Sequence, residues 1–284
     1  MEFWVTQAFN GISYGAMLFL LASGLSLIFG VMRIVNLAHG SYFLLGGYIA
    51  LTTVRRTGSF VLGMLVGALA LAIVGLAMEA AFLRRLQKQT LAQVLLTMGF
   101  ALIFQDLALW IWGGDPNSVP VPAPLSGALT FGMIVFPLYR FFIIGVAVAV
   151  GIGLWLVLEK TRVGSMVRAT VDNREMAEGV GINVPHVSMA VFGLGAFLAA
   201  LGGVVGGGFI GVYPGLDFEV LPYAFVVVIL GGLGSLQGVV AGSVIVGLLD
   251  NFGKALFPEL SYFTLFAPMA LILALKPTGL FGKA

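Results

Sequence analysis

Runs of about twenty apolar residues, parted by short stretches that hold most of the charge, recur along the whole chain. A bilayer core takes about 20 such residues per helix, so each run predicts a membrane span. They cover Phe9–Phe29, closed by Arg33; Ile34–Val54, closed by Arg55 and Arg56; Phe60–Phe82, followed by Arg84, Arg85 and Lys88; and Leu91–Trp112, whose Trp110 and Trp112 suit a headgroup boundary. Residues 113–137 contain Val-Pro-Val-Pro-Ala-Pro and read as an extramembrane loop. Further spans are Phe141–Leu158, a glycine-rich Val187–Val212, the long run Val220–Leu249 and Tyr262–Leu275, closed by Lys276 and Pro277. The sequence GGLGSLQG at Gly231–Gly238 breaks Val220–Leu249 into two pieces or a re-entrant bend, which survives only inside protein or beside a wet cavity.

The most polar stretch is 159–185, EKTRVGSMVRATVDNREMAEGVGINVP. In it Val163, Met166, Val167, Val171 and Met176 alternate with charges at a helical period. Gly164 and Gly181 permit turns and Pro185 starts the next span. The pattern predicts two short amphipathic helices at the membrane surface.

Composition then fixes the class: 284 residues, 60% hydrophobic and 9% charged, with mean hydropathy +1.09, describe an all-α polytopic membrane protein of about eight transmembrane helices in one domain, 1–284. The opening MEFWVTQAFNGISYG has no basic region ahead of its apolar run, so the first span is expected to insert the chain itself. Without cysteine there is no disulfide, thiolate nucleophile or Cys-ligated metal, and His39 and His186 are far apart. A net charge of +2 does not suggest nucleic acid.

Basic residues mark the cytoplasmic side. Arg84, Arg85 and Lys88 then lie inside with Lys160, Arg162, Arg168 and Arg174, and the Pro-rich loop lies outside. Counting back puts Arg55 and Arg56 outside, so either these two break the rule or Ile34–Val54 does not cross fully.

The spans hold few ionisable groups, which argues against an ion-coupled carrier. Asp106, beside Gln105, either lines a polar path or is hydrogen-bonded between helices; Glu79 reads as an interfacial partner of Arg84, and Asp250 sits at a span end. Paired aspartates, HExxH and GxxxxGK[ST] are all missing from the sequence, so neither an intramembrane protease nor an ATP-binding loop is expected.

Two stretches present polar groups beside small residues. In RIVNLAHGSYFLLGGY, Asn36, His39, Gly40 and Ser41 mark either a half-helix facing a substrate or a plain helix start capped by Asn36 or Ser41. In the second, Gly231, Gly232, Gly234 and Gln237 either pack backbones closely or line a pathway. An inverted repeat would connect them: Gly15, Ala16, Leu18 and Leu21 have counterparts at Gly195, Ala196, Leu198 and Leu201, and the same offset sets Asn36–Tyr48 against Leu216–Val228.

Three blocks resemble the permease subunits of branched-chain amino acid ABC importers. They are GLSLIFGVMRIVNLAHG, from Gly24 through Asn36 and His39 to Gly40; the set Gly164, Arg168, Ala169, Asn173, Ala177, Gly181 and Ile182; and GGLGSLQG at Gly231–Gly238. The resemblance implies a bacterial inner-membrane subunit pairing with a second permease or with itself. Two cytoplasmic ATPases, which bind the ATP and magnesium, and a periplasmic binding protein complete the importer; this chain binds no cofactor. Under this reading Arg168–Ile182 docks in an ATPase groove, with Arg168, Asp172, Arg174 and Glu175 at the rim. The cargo is branched-chain or related amino acids, with urea, short amides and other amino acids as alternatives. The rival classes are a self-sufficient channel or carrier and a purely structural subunit.

Overall fold

The computed structural model describes residues 2–87, 89–131, 134–276 and 278–282. Lys88 and Pro277, named above as span closures, lie outside the described residues. The helices are α1 Glu2–Met32, α2 His39–Thr57, α3 Phe60–Ala81, α4 Thr90–Trp112, α5 Leu138–Lys160, α6 Arg162–Asp172, α7 Arg174–Gly179, α8 Val184–Gly207, α9 Leu216–Gly231, α10 Leu236–Leu256 and α11 Ser261–Leu275. Six stretches among the described residues are long and apolar enough to cross a membrane: α1, α3 continued to Leu86, α4, α5, α8 and α10. The other expected spans are shorter helices, α2, α9 and α11. The long run Val220–Leu249 is divided at Gly231–Gly238 into α9 and α10, as its glycines suggest.

Two faces are defined by contacts at the helix ends. Gly30, near the end of α1, meets Gly234 and Val171, and Arg174 Nη2 donates to Gln87 Oε1 at 3.2 Å; this face also carries Arg84 and Arg85. On the opposite face Trp4 packs on Phe252, and Arg55 Nη2 donates to Asn117 Oδ1 at 2.7 Å. Asn117 belongs to the Pro-rich loop, so Arg55 shares its side. That loop pairs with the chain beyond α8 through an Asn117–Val212 bridge and ends in a two-stranded antiparallel hairpin, β1 Ala128–Phe131 and β2 Ile134–Pro137.

The position of Arg55 follows from where α2 begins. His39 Nε2 donates to the Leu21 carbonyl at 2.9 Å, about three turns, roughly 16 Å, back from the basic end of α1. Residues 33–38 return the chain to mid-depth, and α2 climbs from there to the outer face. So Ile34–Val54 does not cross fully, and Arg55 and Arg56 nonetheless end outside.

The second half repeats this plan upside down. Helix α8 runs from the basic face outward, 208–215 return the chain, and α9 starts level with α2, because Ser41 Oγ donates to Asp217 Oδ2 at 2.8 Å across a separation of 176 residues. The same separation relates the next links: Ser59 caps α3 by accepting from Leu62 N, and Ser235 caps α10 by accepting from Gly238 N. Each serine follows a positive-φ glycine, Gly58 or Gly234, a conformation other residues adopt at a cost. Packing obeys the symmetry too, with α3 lying on α8 and α10 on α1. Helices α1 and α8 cross so closely that a Cβ on Gly24 would lie 2.5 Å from the Gly195 carbonyl oxygen. Small residues permit that approach in the absence of a hydrophobic drive between helices. The register is four residues shorter than the offset read from Gly15 and Gly195.

Candidate functional site

Three glycine-flanked elements meet on the basic face. The end of α1, the second half of α6 with the end of α5, and residues 233–237 between α9 and α10 enclose a half-open cavity of about 710 Å³. Its polar lining includes Arg33, Glu159, Arg168, Asp172, Ser235 and Gln237. Gly234 borders it, whereas Gly231 and Gly232 are buried, Gly231 against the backbone of Gly238 and Gly232 against Gly282. Of the four glycine-block residues singled out in the sequence, Gly234 and Gln237 therefore face space, and Gly231 and Gly232 pack.

The 159–185 segment forms the two predicted helices, each started by its own cap. Thr161 accepts from Gly164 N and Asn173 from Met176 N. Gly164 is buried beneath the carbonyls of Val157 and Leu158, and Val167 and Ala177 also face inward. Ala169 and Ile182 are half-buried; Asn173 and Gly181 are exposed. The apolar residues left outside are Val163, Met176 and Val180, at 52%, 66% and 72% exposure. Arg168 turns to Glu159 at 3.5 Å and lines the cavity, and Arg174 is held by Glu178 and Gln87, leaving Asp172, Asn173 and Glu175 exposed.

Asn36, His39, Gly40 and Ser41 do not border this cavity; all four are buried at the start of α2. Neither cap foreseen for α2 forms, since its N-cap is Ala38 with no side-chain hydrogen bond. Asn36 Oδ1 instead accepts from Ala38 N at 3.2 Å, tightening the return loop, and Ser41 is spent on Asp217. A Cβ on Gly40 would run into the Asp217 carbonyl, so Gly40 allows the two half-helix starts to touch.

Other polar residues lie differently from their sequence reading. Glu79 is fully buried, its carboxylate has no hydrogen-bond or close ion-pair partner among the described residues, and Arg84 acts on it only over a longer range. Asp106 is exposed on α4 rather than bonded between helices of this chain. Asp250 is buried and paired with Lys254 at 2.8 Å.

Lys254 anchors a cluster in the outer half that the sequence did not reveal. Its ammonium lies 5.6 Å from the rings of both Tyr14 and Tyr223, which meet edge to face at 5.9 Å, and Tyr213 donates to Glu219 at 2.7 Å nearby on α9. Two aromatic faces and charges of both signs thus share one surface of α1, α9 and α10. A ring face attracts a cation through its quadrupole.

A family model described as "Branched-chain amino acid transport system / permease component" matches residues 7–275. Among curated proteins, the high-affinity branched-chain amino acid transport system permease protein BraD of Pseudomonas aeruginosa is 28% identical over 99% of this chain and 96% of its own. The corresponding protein LivH of Escherichia coli K12 is 27% identical with the same coverage. The ribose import permease protein RbsC of Escherichia coli K12 is 25% identical over 95% of this chain and 84% of its own. No solved structure matches.

Proposed function

The chain belongs to the family of branched-chain amino acid transport system permease components, a multi-pass inner-membrane protein with a transport role, and on that footing we propose that it is the translocating subunit of an ATP-driven importer for branched-chain or related amino acids. In this reading it works beside a second permease, or a second copy, with two cytoplasmic ATPases and a periplasmic binding protein. ATP and magnesium are held on the ATPases.

The observation that carries the proposal is the outward surface of α6 and α7. Met176 and Val180 protrude there among Asp172, Asn173 and Glu175, and burial of each apolar side chain in a partner groove contributes about 1.5–3 kcal/mol. The inner side of the same segment closes the cavity next to Gly30 and Gly234. A push on α6 reaches the α1 end and the α9–α10 link directly, so nucleotide-driven motion of an ATPase would open or shut this mouth. Gly234 and Gln237 line the pathway. Asn36, His39, Gly40 and Ser41 hold the half-helices that shape it.

The test is purification of the tagged importer from cells, comparing the native chain with Met176→Glu/Val180→Glu, alongside ATP-dependent leucine uptake in vesicles. Loss of both the ATPase and uptake, with the permease still inserted, is the expected result. Undiminished ATPase recovery would remove the docking role from this surface. Uptake by the chain alone without ATP would replace the importer with a carrier.

A further inference from the structure

Helix α4 turns Gln93, Thr97, Ala101 and Ala108 into the protein. Its opposite stripe runs Leu95, Gly99, Leu102, Asp106 and Leu109, at the alternating spacing of four and three that makes one continuous helical seam, with Trp110 beside it four residues after Asp106. Leu95, Leu102, Leu109 and Trp110 are all exposed, and a Cβ on Gly99 would meet no atom within 4 Å. Asp106 is exposed in this apolar wall, about 9 Å along the axis from Trp112 at the headgroup boundary.

The acidic residues Glu79, Asp217, Asp250 and Glu219 are either covered by protein or hydrogen-bonded: the first three are buried, and Glu219 receives the Tyr213 hydroxyl. Asp106 has neither cover nor a hydrogen-bond or ion-pair partner among the described residues. A charged side chain facing acyl chains costs on the order of a hundredfold in insertion equilibrium, and such residues almost always face protein or water. One helical face therefore combines a carboxylate that needs a donor with a glycine that admits a neighbouring backbone.

We infer that this stripe of α4 is the docking face for a membrane helix of a different polypeptide, one carrying lysine or arginine at the depth of Asp106. Charge complementarity selects that occupant. A second copy related by an axis along the membrane normal keeps every residue at its own depth, so α4 against α4 would bring two Asp106 carboxylates together.

The test places a photoreactive benzoylphenylalanine at Leu102, one turn from Asp106, in the chain expressed with its native transport complex, and identifies adducts in intact membranes by mass spectrometry. Leu69, exposed on α3 at 53%, is the control site. The expected product at Leu102 is a covalent adduct to a membrane span of another chain bearing a basic residue, with lipid adducts only at Leu69. Asp106→Lys should cut that adduct at least tenfold and Asp106→Asn several-fold. Changing the partner's base to aspartate should restore it in the Asp106→Lys background. Lipid adducts alone at Leu102, an adduct to a second copy, or a yield indifferent to Asp106→Lys would each overturn the assignment.

Discussion

Ser41 and Asp217 stand at the first turns of two half-helices, 176 residues apart, and are joined by a 2.8 Å hydrogen bond inside the protein. Because the same separation relates the Ser59 and Ser235 caps, the bond links equivalent positions of the two halves and lies on the axis between them. Removing the hydroxyl strands a buried carboxylate. Ser41→Ala should therefore cost about 1–3 kcal/mol, while Ser41→Ala combined with Asp217→Leu should cost less than the sum of the single changes. Unfolding of the four proteins in mixed detergent micelles measures the coupling, and strictly additive losses would show that the bond does not hold the halves together.

Two glycines that look alike in sequence should behave differently. Gly24 sits where α1 crosses α8, with the Gly195 carbonyl 2.5 Å from any added Cβ, so Gly24→Ala must push two backbones apart. Gly58 has open space around it and only its φ of 72° to defend. Gly58→Ala should cost about 1 kcal/mol, whereas Gly24→Ala should cost more and Gly24→Leu should abolish the folded form. Yield and melting temperature in detergent decide this; an equal loss at both sites would refute the close crossing.

The sequence made legible whatever was local. Span lengths, the break at Gly231–Gly238, the two amphipathic helices and the polar start of α2 each depend on residues within a few turns of one another. Relations between distant segments were not legible. Ser41 with Asp217, Lys254 with Tyr14, and the cavity shared by Arg33, Arg168 and Gln237 arise only once the inverted halves are packed. Asp106 shows a further limit: α4 is apolar all round, so its sequence carries no sign of which face is covered. Arg55 and Arg56 lie on the outer face against the charge rule, and that the run before them starts at mid-depth was hidden because a half-helix and a full span have the same composition.

Orientation can be checked directly, since the chain has no cysteine. Ser126 in the Pro-rich loop and Ser165 on α6 are both exposed, on opposite faces. With a membrane-impermeant thiol reagent on intact spheroplasts, Ser126→Cys should label at once and Ser165→Cys only after the membrane is opened. The reverse pattern would turn the molecule over and place α6 and α7 out of reach of any cytoplasmic ATPase.

The Lys254 cluster allows a structural role to be separated from a transport role. Asp250 is buried, and Lys254, half exposed, is its ion-pair partner at 2.8 Å, so Lys254→Met leaves a carboxylate inside the protein without its counter-charge. Breaking a fully buried pair costs about 3–5 kcal/mol; with one partner half in contact with solvent or headgroups, about 1–2 kcal/mol is the expected loss. Adding Asp250→Asn removes the stranded charge and should recover most of that stability. If Lys254, Tyr14 and Tyr223 only anchor α10, the double variant should also take up substrate with an unchanged KM. If their surface handles a zwitterion, the ammonium that would meet its carboxylate is gone, and KM should rise several-fold although the fold is restored. Uptake kinetics measured beside unfolding on the same preparations separate the two roles.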